Sequence, residues 1–314
     1  MSDHAMEKLS PPRFDVLGFG AVAVDELLYV DAYPAPESKV RVRHRQRQCG
    51  GLTGTALVAA ARLGARCAYA GVLGDDELSA YATACLEREG IDLRLRVRRP
   101  DARPAQSTII VDRAQKTRTV LASLAGAIGA DPSLPGADVI RSASVLLVDH
   151  HGLEGTLRAV RIAREHGGRV VADFERDPGP PFAELVARVD HLIVSERFAR
   201  ELSGAPDSPV AGVAEALWSP DRSAVVVTCG AAGCWYVAAA TGRGARHFPA
   251  FAVDVVDTTG CGDVFHGAYA AALARGEDLP RRVALASAAA ALKATRRGGQ
   301  AGIPYRSDVD AFLA

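Results

Sequence analysis

The segment VDVVDTTGCGDVFHGAYAAALARG, residues 253–276, carries the most structural information in the sequence. Its apolar beginning predicts a buried strand that ends at Asp257, and residues 261–274 predict a helix. Between them lies a turn with two glycines, Gly260 and Gly262, which can bring the backbone close to a ligand and adopt dihedral angles forbidden to other residues. The segment therefore predicts a strand, a glycine turn and a helix N-terminus in direct succession.

This turn has the composition of an anion-binding site. The backbone amides of Gly260, Cys261, Gly262 and Asp263 would point together at a helix N-terminus, which carries partial positive charge and unsatisfied donors. The Asp263 carboxylate would repel a phosphate there, unless it accepts a proton from an attacking hydroxyl beside a transferred phosphoryl group. A helix N-cap is the simpler alternative for Asp263, but the two-glycine turn after a buried strand favours the catalytic role.

Outside this segment, short apolar runs alternate with helical patterns over most of the chain. Such runs are typical of strands that are covered on both faces. Strands that alternate with helices predict right-handed βαβ units and an α/β fold, with a mostly parallel central sheet and helices on both faces. The predicted strands are residues 14–20, 67–73, 144–149, 169–174, 191–195 and 224–230.

Two segments, residues 27–48 and 93–121, interrupt this alternation with period-two patterns such as Lys39-Val40-Arg41-Val42-Arg43. Alternation of this kind is typical of a sheet with one face on protein and one on water. We predict a small β-sheet lid that closes over the carboxyl edge of the main sheet. An extension used only for dimer contacts is an equal alternative. The predicted core is residues 1–30, 50–92 and 124–314, and the predicted lid is residues 31–49 and 93–123.

The composition excludes several classes of protein. The 314-residue chain has 37 Lys+Arg and 37 Asp+Glu, so no excess of positive charge favours a nucleic-acid or acidic-membrane partner. The N-terminal residues are polar, and no window approaches the roughly 20 apolar residues of a membrane span. The six cysteines lack metal-binding spacing, which favours buried free thiols. These features predict a cytoplasmic protein.

Two motifs resemble the signatures of the ribokinase-like (PfkB) carbohydrate kinases. The family's second signature, DTxGAGDxF, is matched by DTTGCGDVF from Asp257, with Cys261 in the usual alanine position. Its first signature is matched by GGLTGTALVAAARLGARCAYAGVLGDD, residues 50–76. Two signatures in the family's order are stronger evidence than a single glycine turn. The resemblance runs from Asp15 to residues 306–313 and looks closest to the sulfofructose kinase branch.

The resemblance implies an ATP-dependent sugar kinase of ribokinase-like fold. It implies that Asp263 is the catalytic base and that the amides of Gly260, Cys261 and Gly262 form the anion hole for the γ-phosphate. The substrate-binding residues that it implies are Asp25, Gly50, Gly51, Thr55 and Lys39, to which we add His150 because it ends a strand at the predicted ligand edge of the sheet. The ATP-binding residues that it implies are Thr228, Gly230, Gly233, Thr258 and Ser287.

The resemblance also implies the ions and partners of the reaction. ATP would be the second substrate and Mg²⁺ the cofactor, with Glu196 orienting the waters that usually stay in the magnesium shell. In cation-using members, a monovalent ion such as K⁺ lies beside this region. The residues implied for it here are Asp257, Thr259, Ala294, Arg297 and Gly299. A homodimer would form through the lid, where Val40 and Val42 offer apolar contacts.

The sequence departs from the family pattern at positions that bear on the substrate. The Asn-x-x-Glu motif is replaced by Ser195 to Phe198, and Thr55 stands where many members have asparagine. Lys39 matches a basic position of the sulfofructose branch, but residues 121–127 and 148–152 carry no arginine to hold a sulfonate or phosphate group. The acceptor is left open between a small sugar such as a ketose, a sugar acid or sulfonate, and a nucleoside. A binding protein without turnover is an alternative of another class.

Overall fold

The structure is a computed structural model, and it describes residues 13–239, 242 and 244–314. Strands and helices alternate along most of the chain. The strands are β1 (Phe14–Phe19), β2 (Ala23–Val30), β3 (His44–Gly50), β4 (Cys67–Tyr69), β5 (Val72–Leu73), β6 (Val97–Arg98), β7 (Ala105–Asp112), β8 (Thr117–Ser123), β9 (Ala143–Asp149), β10 (Arg169–Phe174), β11 (His191–Ser195), β12 (Ala224–Thr228), β13 (Cys234–Val237) and β14 (Arg246–Phe248).

The helices lie between these strands and after the last one. They are α1 (Leu52–Arg62), α2 (Glu77–Arg88), α3 (Ala137–Arg141), α4 (Leu153–Glu165), α5 (Phe182–Arg188), α6 (Glu196–Ser203), α7 (Val210–Leu217), α8 (Cys261–Ala274), α9 (Leu279–Ala294) and α10 (Arg306–Leu313). A short 3₁₀ helix spans Gly230–Ala232. No helix in the described ranges combines the length and apolar character that a membrane span requires.

The main sheet has eight strands in the order β14-β13-β12-β11-β10-β9-β1-β4. The six strands from β12 to β4 run parallel, and β13 and β14 pair antiparallel at one edge. Consecutive residues of the central strands are buried on opposite faces: Leu147 packs with α1, α8 and α9, whereas Leu146 packs with α4 to α7. The predicted α/β class and mostly parallel sheet are confirmed.

A separate four-stranded sheet has the order β3-β2-β7-β8. It combines strands from both segments that interrupt the alternation, but it also contains Ala23–Val30, which the predicted division places in the core. Nearly all residues of this strand are buried, so the sequence pattern does not separate it from a core strand. Val97–Arg98 lies in the second segment and pairs with Val72–Leu73 rather than with the small sheet. The assignment of the remaining boundaries and the closing motion stay predictions.

Two predicted strands are wrong in detail. Residues 253–257 are not in a strand; instead, the amides of Val256 and Asp257 both donate to the carbonyl of Ala294, at 2.8 and 3.1 Å. The predicted strand over residues 67–73 is divided into Cys67–Tyr69, which pairs with β1, and Val72–Leu73, which pairs with β6. In residues 67–73 the apolar pattern reflects burial, which is not specific to a strand. In residues 253–257 only Asp257 is buried, and Val256 is 44% exposed.

Helices α1 and α8 approach each other closely where α8 carries Gly267. A Cβ atom on Gly267 would lie 2.0 Å from the carbonyl oxygen of Ala56. We expect Gly267→Ala to lower the free energy of unfolding by about 1–3 kcal/mol, because backbone would have to move to relieve the overlap. Thermal or urea unfolding measures this change.

Gly212 provides the matched control, since it also lies inside a helix but has open space around its Cβ position. Gly212→Ala should raise stability by roughly 0.5–1 kcal/mol through helix propensity alone. Equal stabilisation by both substitutions would contradict the close packing of α1 and α8.

Candidate active site

The glycine turn lies where the sequence predicts it, at the N-terminus of α8. Gly260 is the N-cap, with φ 77° and ψ 4°, a left-handed conformation that favours glycine. The amide of Cys261 donates to the Thr258 carbonyl at 3.3 Å. Within the described part of the chain, the amides of Gly260, Gly262 and Asp263 form no hydrogen bond. Such free amides at a 14-residue helix are suited to an anion.

Asp263 lies in the first turn of α8, and its carboxylate makes no hydrogen bond to any of the described residues. Burial raises the pKa of Asp263 well above its usual value, and the charges of Asp173 and Glu175 raise it further, whereas Arg118 lowers it. The carboxylate is therefore free of internal partners and lies close to other charged groups, as a group that reacts with a ligand requires.

Three parts of the chain meet at the glycine turn. A Cβ atom on Gly260 would lie 3.4 Å from Gly299 Cα, 3.4 Å from Thr55 Cγ2 and 3.8 Å from Asp263 Oδ2. The Gln300 side chain donates to Thr55 Oγ1 at 3.4 Å. The start of α1, the start of α8 and the loop after α9 thus surround one small volume.

Asp25 lies on the inner face of the small sheet, opposite Gln48 on β3 and Ser107 on β7. It is only 8% exposed. Burial raises its pKa to about 6, although the hydrogen bond from Ser107 acts in the opposite direction. Gly50 has to lack a side chain, since its Cβ atom would lie 1.9 Å from Asp25 Oδ2. This carboxylate is held in place but not neutralised by a cation.

Gln48 is a functional candidate that the sequence analysis missed. Its side chain is buried, and neither its amide nitrogen nor its oxygen has a hydrogen-bond partner among the described residues. The amide lies against the loop after α9, because Cβ atoms on Gly298 and Gly299 would come within 2.9 and 3.1 Å of it. An unpaired buried amide beside Asp25 is suited to binding ligand hydroxyls. The alternation of β3 is the signal that could have indicated it.

The other predicted substrate residues have different surroundings. Gly51 is the N-cap of α1, with φ 86°. Lys39 is exposed on the loop between β2 and β3, and its side chain makes no ion pair with the described residues. His150 is buried and accepts a hydrogen bond from Arg176 at 3.3 Å, and burial lowers its pKa to about 4. At neutral pH His150 is therefore an uncharged imidazole.

The small sheet contacts the glycine turn through two side chains that the sequence analysis did not select. Tyr29 on β2 donates to Asp257 Oδ2 at 2.6 Å. Arg118 on β8 donates to Thr258 Oγ1 at 3.0 Å. Burial raises the pKa values of Cys261 and Asp263, and the charge of Arg118 opposes part of this rise. Because strand pairing determines which face each side chain occupies, neither contact could be recognised before the pairing was known.

The predicted nucleotide residues lie around the β12–β13 hairpin. Thr228 ends β12, and Gly230 and Gly233 flank the 3₁₀ turn with φ 56° and 87°. A Cβ atom on Gly233 would lie 2.1 Å from the Phe248 carbonyl oxygen. Burial raises the pKa of the Cys234 thiol on β13, and a hydrogen bond with Ser287 on α9 opposes part of this rise. The hairpin and α9 are thus adjacent, as a shared nucleotide site requires.

Glu196 begins α6 beside this hairpin. Its Oε1 accepts hydrogen bonds from Arg200 at 3.1 and 2.7 Å, so its charge is partly compensated. In the described ranges, no group of three or more His, Cys, Asp or Glu side chains is arranged to hold a metal ion. Asp173 and Glu175, at the carboxyl end of β10, influence the pKa of Asp263 and were missed, although Asp173 follows a buried apolar run. A role of Glu196 in holding magnesium through water stays a prediction.

The residues predicted for a monovalent ion lie around Asp257 and the loop after α9. Asp257 Oδ1 accepts from the Thr259 amide at 2.9 Å, and Oδ2 accepts from Tyr29 and from the Gly298 amide at 3.0 Å. The Ala294 carbonyl accepts the two amides described above. Arg297 places its guanidinium over the Tyr29 ring, 5.7 Å from the centroid. The Asp257 and Ala294 oxygens thus have donors from the protein itself, whereas the carbonyl oxygens of Thr259, Arg297 and Gly299 accept no hydrogen bond from the described residues. The monovalent-ion site stays a prediction.

Comparisons with known proteins cover almost all of the chain. The family model described as "pfkB family carbohydrate kinase" matches residues 15–306. A ribokinase of Haemophilus influenzae is 27% identical over 307 residues, which cover 94% of this chain and 96% of the relative. An aminoimidazole riboside kinase of Salmonella typhimurium is 29% identical over 298 residues, which cover 84% and 88% of the two chains.

A solved structure is similar over the same extent. It is a protein of Agrobacterium tumefaciens, provisionally named a ribokinase, with a TM-score of 0.88 and 30% identity. The match covers 97% of this chain and 98% of that chain. The likeness therefore includes the small sheet and the glycine turn as well as the main sheet.

The raised pKa of Asp25 gives a pH-dependent prediction. Because its folded pKa of about 6 exceeds the ordinary 3.8, stability that is present below pH 3.8 is lost as the pH rises through 6. The asparagine of Asp25→Asn cannot ionise. The free energy of unfolding of this variant at pH 7.5 should therefore exceed that of the parent by at most about 3 kcal/mol. The gain should vanish near pH 4 in a series of melting curves.

Asp31→Asn is the control for this series. The pKa of Asp31 is lowered by its hydrogen bond with Arg43, so its stabilising contribution is present above the ordinary pKa and is lost as the pH falls. This substitution should give no gain at pH 7.5. An Asp25→Asn variant that is no more stable than the parent at any pH would show that burial of the ionised Asp25 carboxylate does not destabilise the fold.

Proposed function

The chain belongs to the pfkB family of carbohydrate kinases, and we propose that it transfers the γ-phosphoryl group of ATP to a hydroxymethyl group of a small sugar or sugar derivative. The observation that carries the proposal is the N-terminus of α8, where free backbone amides lie beside a carboxylate without internal partners. Amides bind the phosphoryl oxygens, and the carboxylate is suited to accept the proton of the attacking hydroxyl.

The acceptor is held on the other side of the turn. Asp25 and the Gln48 amide present hydrogen-bonding groups from the small sheet, and Thr55 lies between that sheet and Gly260. Asp263 then deprotonates the hydroxyl while the amides of Gly260 to Asp263 stabilise negative charge on the transferred group. Because the small sheet contacts the turn through Tyr29 and Arg118, it also excludes water, which would compete as nucleophile.

The surroundings of Asp25 support a neutral acceptor. Among the described residues, no cation contributes to its pKa, which burial alone raises to about 6. A sulfonate or carboxylate placed beside this uncompensated group would be repelled. A neutral sugar such as a pentose or ketose needs only hydroxyl partners, which Asp25 and Gln48 supply. This argument favours a neutral sugar over the sugar-acid or sulfonate alternative.

Magnesium would supply charge neutralisation for the ATP phosphates when it is bound. Its fit is tested by the carboxylates near the turn: Asp173 and Glu175 both raise the pKa of Asp263. Asp173 Oδ2 lies 3.2 Å from His266 Nδ1 but has no hydrogen-bond partner among the described residues. Carboxylate oxygens are preferred magnesium ligands, directly or through water. We therefore assign Asp173 and Glu175 to the magnesium side of the site, with Glu196 beside the nucleotide hairpin.

Replacement of Asp263 tests the assigned base. Asp263→Asn should lower kcat by a factor of at least about 10³, because the amide cannot accept the proton while the anion-binding amides stay in place. The affinity for a non-hydrolysable ATP analogue should change little. ADP release is measured with ribose, fructose, other aldopentoses and ketoses, a sugar sulfonate, and nucleosides, with the parent protein as reference.

The panel also separates the alternatives. Turnover with nucleosides above that with free sugars would favour a nucleoside kinase, for which the aminoimidazole riboside kinase relative provides the reason. Binding of ATP and sugar without ADP formation across the panel would favour a protein without turnover, against which the intact turn and Asp263 argue. Near-normal kcat in Asp263→Asn would exclude Asp263 as the base.

Arg118 provides a second test, since it reaches the turn from the small sheet. Arg118→Met should lower kcat/KM by about ten- to a thousandfold, because a cation near the transferred group is lost. Arg113→Met is the matched control: Arg113 lies in the turn of the same β7–β8 hairpin, where its guanidinium pairs with Asp31 at 3.2 Å. Equal effects of the two substitutions would mean that Arg118 acts only through the stability of the hairpin.

A further inference from the structure

The side chain of Gln48 on β3 ends in an amide that has no partner within the described part of the fold. The residue is 6% exposed, and neither its Nε2 nor its Oε1 atom has a hydrogen-bond partner among the described residues. Burial of such an amide costs free energy, because the hydrogen bonds that it makes with water in the unfolded chain are not replaced. A ligand can supply the missing partners, since the amide offers donors and an acceptor side by side.

The position of this amide is set by strand pairing on one side and by the loop after α9 on the other. Gln48 lies directly opposite Asp25 on β2, and Ser107 of β7 lies on the far side of Asp25. The end of the Gln48 side chain reaches the loop: Nε2 would lie 3.1 Å from a Cβ atom on Gly299, whose Cα would lie 3.4 Å from a Cβ atom on Gly260. The Gln48 amide thus lies between the strand that carries Asp25 and the glycine turn.

The Asp25 carboxylate and the Gln48 amide offer different hydrogen bonds to a ligand. An ionised carboxylate only accepts, whereas the amide donates through Nε2 and accepts through Oε1. A hydroxyl group both donates and accepts, so a hydroxyl of the sugar can pair with the amide. A hydrogen atom in place of that hydroxyl would leave the buried amide unpaired, and the full cost of its burial would remain. The amide is therefore able to distinguish sugars that differ by one hydroxyl.

We propose that Gln48 determines the specificity for the sugar: its amide binds the sugar hydroxyl that lies between Asp25 and the glycine turn, and the site rejects sugars that lack this hydroxyl. A site whose buried polar groups need a ligand hydroxyl discriminates against the analogue without it by at least about 100-fold. The effect on turnover rests on the proposed kinase function. The effect on the stability of the free protein does not, because the amide is unpaired before any ligand binds.

The first experiment compares the melting temperatures of the parent and of Gln48→Met without ligands. Methionine keeps the unbranched shape of glutamine but has no amide. The substitution should therefore raise the melting temperature by about 2 °C or more, because an unpaired buried polar group is removed. Gln48→Leu, which also lacks the amide, provides a second variant in case methionine does not fit the site.

Gln106→Met is the matched control. Gln106 on β7 precedes Ser107, so it faces the opposite side of the small sheet, where it is exposed. Its substitution should leave the melting temperature within about 1 °C of the parent. A rise with either Gln48→Met or Gln48→Leu would support the unpaired amide. No rise with either variant would overturn the proposal, because the amide would then have stabilising partners within the protein.

The second experiment measures kcat/KM for the best sugar of the panel and for its deoxy analogues, each of which lacks one hydroxyl other than the phosphorylated one. The parent and Gln106→Met should prefer the complete sugar over one of these analogues by at least about 100-fold. In Gln48→Met this preference should fall by about tenfold or more, because an apolar side chain needs no hydroxyl partner. A purely structural role of Gln48 would lower kcat/KM for all of these sugars by the same factor. An unchanged preference in Gln48→Met would overturn the proposal.

The two experiments separate this inference from the function on which it rests. If the parent forms no ADP with any sugar, the proposed function fails, whereas the melting temperatures still test the Gln48 amide. Calorimetric binding of the same sugars in the presence of a non-hydrolysable ATP analogue then takes the place of kcat/KM. If ADP is formed but the preference among the sugars is the same in the parent and in Gln48→Met, the kinase function stands and only the inference about Gln48 fails.

Discussion

Helix α8 can present unpaired amides at one end only because the rest of the helix is held firmly. Gly267 lies so close to Ala56 that no side chain fits between them, and a run of buried alanines, residues 270–272, follows it. Small residues allow the backbones of α1 and α8 to approach closely. The Gly50–Gly51 loop begins α1 and the glycine turn begins α8, so this packing fixes the two ligand-binding ends relative to each other.

The small sheet is joined to this pair by apolar residues, with Val24 of β2 and Cys49 of β3 in the main core, and also by polar contacts. Its own apolar cluster is small and consists of Leu27, Tyr29, Ile109 and Val111. Tyr29 and Arg118 hydrogen-bond to residues of the turn, and such contacts can be replaced by water or ligand at little net cost. The closing motion that a lid over a water-sensitive reaction needs stays a prediction.

The sequence predicted the parts of the fold and site that depend on local patterns. The glycine turn, the helix after it and the strands covered on both faces all follow from periodicity and residue type. It could not predict Tyr29, Gln48 or Arg118, because their roles depend on strand register, which brings distant segments together. It also placed a strand at residues 253–257, where the chain is irregular and Val256 is 44% exposed. The burial of Lys293 likewise depends on tertiary contacts, whereas the pairing of Glu196 with Arg200 is a local i,i+4 contact within α6 that the sequence could have indicated.

Before any ligand binds, the charged groups around the glycine turn include more carboxylates than cations, and this imbalance affects which ligands the site can bind. Asp173, Glu175 and Asp263 are close enough for the first two to raise the pKa of the third, while Lys293 and Arg118 are the cations that act on the same turn. For the proposed kinase, such a surplus of carboxylates would repel free ATP, so we expect the nucleotide to bind with its charge reduced by a divalent ion. A divalent ion that accompanies the nucleotide would then let the carboxylates remain ionised beside it.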